Sequence, residues 1–165
     1  MELKLGYTGE VNCKLKINNK IVEFSSHNEG ESELFRIIAK ALAGYNITAE
    51  KPAQLDVCTK TNDTYNSLLK QPAQLVGGAF RQEDINGINQ WVTVYNASVD
   101  TSMIKGDISP TEDVYAVLKN GNGQMLAYTK IQKVDNVNIL YKIKGQNNVQ
   151  ALIEWKMYVN NASNS

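Results

Sequence analysis

Short runs of strictly alternating apolar and polar residues, separated by pairs of Asn and Gly, are what most constrain the fold of this chain. Val11, Cys13, Leu15 and Ile17 alternate with Asn12, Lys14 and Lys16. A period of two puts the apolar set on one face of a strand. Asn18-Asn19 follows, and Ile21, Val22 and Phe24 resume the apolar pattern. Two Asn between two such runs predict a hairpin, because both central residues of a type I′ turn need positive φ. Residues 90–99 repeat the pattern with Trp91, Thr93, Tyr95, Ala97 and Val99 on one face. Val92 and Val94 make the other face apolar too, which predicts a central strand. Residues 114–118 and 125–131 flank Asn120-Gly121-Asn122-Gly123, a second hairpin signal. Residues 137–143 and 149–159 read as the last two strands, with Gly145-Gln146-Asn147-Asn148 between them.

One segment breaks the period. Leu34, Ile37, Ile38, Ala41 and Leu42 recur at helical spacing, so an amphipathic helix is expected near residues 32–43. Asn28 or Ser32 can cap its start and Gly44 its end. Glu29, Glu31 and Glu33 sit where a helix N-terminus favours negative charge, so they read as helix-start residues rather than paired catalytic acids. Burial of Leu34, Ile37, Ile38 and Leu42 would contribute about 6–12 kcal/mol before entropy. On that basis Ile38→Asp is expected to give insoluble protein. Pro52 and Pro72 each introduce Pro-Ala-Gln-Leu, and a strand is expected just after each proline. Gly77-Gly78 predicts a bulge or a close backbone approach. Residues 61–71 read as a polar loop with one helical turn near Tyr65, and Glu83-Asp84 and Glu112-Asp113 as solvated turns.

These elements predict a mainly β fold, an antiparallel β-sandwich of jelly-roll or Ig-like type, with the helix covering an open end or edge. The 165 residues suit one domain over 1–160, with a frayed end over 161–165. Seventeen basic residues balance seventeen acidic ones, which argues against a nucleic-acid partner. No apolar run is long enough for a transmembrane helix, and no secretory h-region is expected at the N-terminus, so no membrane partner is expected either. The four sequons at Asn46, Asn62, Asn96 and Asn161 then read as coincidences in a chain with 19 Asn. Cys13, Cys58 and the single His27 are too few for a zinc site or a disulfide framework. No catalytic, cofactor-binding or metal-ligating residues are therefore expected, and no cofactor. Trp91, Trp155 and the eight Tyr read first as core residues and second as a sugar-stacking platform.

Three stretches carry a resemblance. They are Gly9-Glu10-Val11 through the basic hairpin to His27-Asn28-Glu29-Gly30; Leu34-Phe35 with Ala41-Leu42-Ala43-Gly44-Tyr45-Asn46, then Pro52 and a strand; and Met125-Leu126-Ala127-Tyr128 with the closing Ile153-Glu154-Trp155. Their order resembles small tailed-bacteriophage virion proteins of the head-fibre, capsid-decoration or tail-accessory type. The resemblance implies a β-sandwich made in the host cytoplasm and built into the virion. It implies a non-enzymatic structural role, with capsid or tail proteins, and other copies of the chain, as partners. His27 and Asn28 would hold the helix entrance. Edge strands and the loops over 61–71 and 84–90 are the expected contact elements. The alternative reading is a carbohydrate- or receptor-binding β-sandwich that takes a host glycan.

Overall fold

The computed structural model describes residues 5–17, 20–29, 32–144, 146 and 149–161, and side chains at 11, 12, 33–84, 86–144, 146 and 149–158. The expected turn at Asn18-Asn19, the residues Gly30, Glu31, Gly145, Asn147 and Asn148, and the tail 162–165 lie outside the described residues. So do the side chains of Cys13, His27, Asn28, Glu29 and Ser32.

Two antiparallel sheets share one core. The first sheet holds β1 (Leu5–Ile17), β2 (Lys20–Glu29), β6 (Val76–Ile85), β7 (Ile88–Asp100) and β10 (Gln150–Asn161), in the order β2-β1-β10-β7-β6. The second holds β3 (Pro52–Thr61), β4 (Thr64–Ser67), β8 (Tyr115–Asn120) and β9 (Met125–Lys130), in the order β4-β3-β8-β9, with β5 (Ala73–Gln74) paired to β3. Every pairing is antiparallel, and the architecture is a β-sandwich. Between the sheets, Val11, Ala97, Val99, Ala151, Ile153 and Trp155 meet Leu55, Val57, Ala116, Leu118 and Ala127, all buried. Each of these sets alternates along its strand with residues of the opposite face, as a two-residue period requires.

The helix α1 (Ser32–Leu42) carries the chain from β2 in the first sheet to β3 in the second. Only half of its stripe is buried. Leu34 and Ile37 enter the core, whereas Ile38 is 38% and Leu42 80% exposed. The expectation that all four residues are buried is therefore corrected, and with it the expected insolubility of Ile38→Asp. A period of 3.6 shows which residues share a face, but not how much of that face a neighbour covers.

Residues 137–143 are not a strand. A second helix, α2 (Ile139–Lys144), stands there and buries Ile139, Leu140 and Ile143. Asn138, fully buried, explains the switch. Its side-chain oxygen accepts the Tyr141 backbone N–H at 2.9 Å. Its side-chain nitrogen donates to the carbonyls of Ser109, Pro110 and Glu112 at 2.7, 3.2 and 3.1 Å. One residue thus caps a helix and fastens the loop before β8.

Two further expectations change. Residues 64–67 form β4, which folds back on β3 through Asn62 at φ 54°, so there is no helical turn near Tyr65. β6 continues through Glu83-Asp84, and the turn falls at Asn86-Gly87, with φ 53° and 82°. β10 runs to Asn161, where it pairs with Leu5.

Candidate interaction surface

At the end of the first sheet nearest α1, the inner face extends into an open cleft. The strip begins with Trp91 on β7 and Phe80 on β6, whose rings lie 5.6 Å apart at 45°. Phe80 pairs with Thr93, and Thr93 with Met157 of β10. Tyr95 comes next along β7. Burial alone raises its phenol pKa. Thr93, Tyr95 and Met157 then form one wall of a cleft of about 400 Å³, and Ile37, Ile38, Ala41 and Leu42 of α1 form the other. Phe80 is 72% and Trp91 55% exposed. From Trp91 to Tyr95 the strand rises about 13 Å. The strip is thus contiguous, apolar and open. Contiguous exposure of this kind, unlike single exposed apolar residues, makes the strip the candidate interaction surface.

Local structure positions each wall. Gly77 and Gly78 take φ 103° and 114°, where a side chain would be strained, and the register of β6 against β7 shifts there. A Cβ on Gly78 would stand 3.6 Å from the Tyr95 ring. The unbroken register from the Asn86-Gly87 turn, which pairs Phe80 with Thr93, keeps Phe80 on the Trp91 side of the sheet. On the other face, Glu83 accepts from Arg81 at 2.8 Å, Lys156 at 3.2 Å and the Tyr158 hydroxyl at 3.3 Å. Burial pushes the Glu83 carboxyl pKa up, but Arg81 and Lys156 outweigh it and hold the pKa below the ordinary value. This network ties the β6–β7 hairpin to β10. The α1 wall is clamped by charge. Arg36 bonds Glu33 and Glu50, and Lys40 also bonds Glu50, on the turn that follows the helix. Lys40 first, then Arg36, lowers the Glu50 pKa, and Arg36 lowers that of Glu33.

A second polar cluster lies on the outer face of the other sheet. Asp56 is 1% exposed. Its Oδ1 accepts from the Val57 backbone at 2.9 Å and from Ser67 Oγ at 2.7 Å, and its Oδ2 accepts Lys119 Nζ at 2.8 Å. Cys58 is buried nearby, its thiol pKa pushed up to about 12 by burial first and by the Asp56 charge second. A thiol so protonated at neutral pH is a poor nucleophile. The Ser67 hydroxyl and the Lys119 ammonium both spend hydrogens on the same carboxylate. The cluster joins β3, β4 and β8, and its chemistry is that of a structural tie. Nothing in the sequence near Asp56 signals it, because Asp56 merely alternates with the inward Leu55 and Val57, and its partners Ser67 and Lys119 lie 11 and 63 residues away.

Of the residues weighed from sequence, the two tryptophans separate. Trp155 is core and Trp91 is surface. The expected contact loop 84–90 is the tip of the β6–β7 hairpin and borders the strip, whereas 61–71 lies on the other sheet. Asp113 is held by Lys130 and Lys133, at 3.0 and 2.8 Å. The α1 residues Ile38 and Leu42 were expected in the core and are instead part of the surface. Among the described residues no group of three His, Cys, Asp or Glu could hold a metal ion, and no helix is long and apolar enough to cross a membrane. No known family model, curated protein or solved structure matches this chain.

Proposed function

We propose that this protein is a non-enzymatic assembly component of a tailed-phage virion, of head-fibre, capsid-decoration or tail-accessory type. It works by docking other virion proteins and copies of itself. The observation that carries the reading is the open apolar strip from Phe80 and Trp91 to Ile38 and Leu42. A stable monomer gains nothing from leaving those side chains in water, and a partner surface that covers them gains roughly 25 cal/mol per Å² before the cost of association. Mass spectrometry of purified particles of the encoding phage tests this. A fixed copy number per particle is expected, and absence from the particles overturns it.

The exposed Phe80–Trp91 pair favours a second reading, docking of a host glycan on an aromatic face. Because Trp155 is buried, Trp91 is the indole that a bound sugar would reach. That reading expects saturable quenching of tryptophan emission by a host glycan, lost in Trp91→Ala. Unchanged emission across the host's surface glycans would remove it.

A further inference from the structure

We propose that two copies of this chain pair along β6, antiparallel and centred on Gln82, joining the two five-stranded sheets into one. This rests on the reading that this end of the sheet is a docking surface, and it names the partner that takes the edge itself.

β6 ends the sheet order, and among the described residues no strand is paired with its outer side. The two-residue turn Asn86-Gly87 sets which backbone groups face outward. In such a hairpin Ile85 and Ile88 exchange both hydrogen bonds, and the exchange recurs every second residue. Glu83 and Arg81 therefore bond to β7 at the pairs Glu83–Gln90 and Arg81–Val92. Phe80, Gln82 and Asp84 turn their N–H and C=O groups to the open side. The stretch free of the bulge runs over 79–85, with Gln82 at its middle.

A second β6 can pair in any register that opposes outward groups, and side-chain chemistry chooses among them. Opposing Gln82 to Gln82 of the second copy places Arg81 against Glu83, twice by symmetry, in the closer non-hydrogen-bonded pairs. It also pairs Phe80 with Asp84, for about six interchain backbone hydrogen bonds in all. A shift of one step opposes Arg81 to Arg81. The next shift runs into the Gly77-Gly78 bulge. Charges on an edge strand usually guard it against pairing. Here the two charges have opposite sign, bond each other within each strand and flank the centre, so opposed strands set Arg81 beside Glu83 in both directions. The two-fold axis is perpendicular to the sheet, so both apolar strips emerge on one face.

Light scattering during size-exclusion chromatography tests the pairing. At about 0.1 mM, enough to populate a contact of micromolar affinity, the chain should run at twice its 18.4 kDa. Gln82→Pro removes an N–H that the monomer leaves unused, and should give a monomer that melts as dilute, unpaired wild type does. Arg81→Glu opposes two acids and should weaken pairing tenfold or more, roughly. A wild-type monomer at that concentration overturns the proposal, as does a dimer that survives both Gln82→Pro and Arg81→Glu. Such a failure leaves particle incorporation untouched, so it is distinguishable from failure of the assembly role.

Discussion

Trp155→Ala should lower the unfolding free energy by about 4 kcal/mol, within the ~3–5 kcal/mol typical of large aromatic truncations in a packed core. Trp155 is fully buried in the middle of β10, paired with Val11 on one side and Tyr95 on the other. It is thus the largest side chain in the core at the centre of its five-stranded sheet. Alanine leaves a cavity that backbone fixed by two ladders cannot collapse around. For a domain whose total stability is on the order of 5–15 kcal/mol, the loss is a large share. Urea titration followed by circular dichroism measures it. A loss below about 1 kcal/mol would mean that the sheets do not close on this ring.

Asp56→Ala comes next, at about 3 kcal/mol. The change strips Lys119 of its counter-ion and Ser67 of its acceptor, inside a site where Asp56 itself is almost fully covered. Breaking a buried ion pair on one side costs roughly 3–5 kcal/mol, and the partial exposure of Lys119 puts this case at the lower end. Asp56→Ala with Lys119→Met should recover part of the loss, because it removes the stranded charge as well. A double-mutant cycle by urea denaturation reads the coupling. Additive losses would show that the pair is not the tie between β3 and β8.

The sandwich was legible wherever one rule governed a segment. Alternation placed β7 and β10, the Asn and Gly pairs placed the β8–β9 hairpin, and Gly77-Gly78 placed the bulge. Residues 137–143 misled because Val137, Ile139, Tyr141 and Ile143 alternate as a strand does. Ile139, Leu140 and Ile143 also fit a helix, and the bonds from Asn138 to a loop about 28 residues back decide between the two. No local pattern contains that contact. The surface was harder to read for a similar reason. Trp91 and Trp155 sit at equivalent alternating positions, and only the extent of the opposing sheet makes one core and the other surface. Ile38 and Leu42 complete an apolar stripe that sequence assigns to a core, but burial depends on a neighbour that stops short of them.

The central claim, that the strip is where partners dock, is tested most directly by particle incorporation of a strip variant. Leu42→Lys with Trp91→Lys changes two side chains that already meet solvent, at 80% and 55% exposure, so the fold should melt as wild type does. On the proposed virion reading, quantitative mass spectrometry of purified particles carrying this pair should find the protein reduced roughly tenfold or more against a fixed wild-type copy number. Equal incorporation of the folded variant would contradict the account.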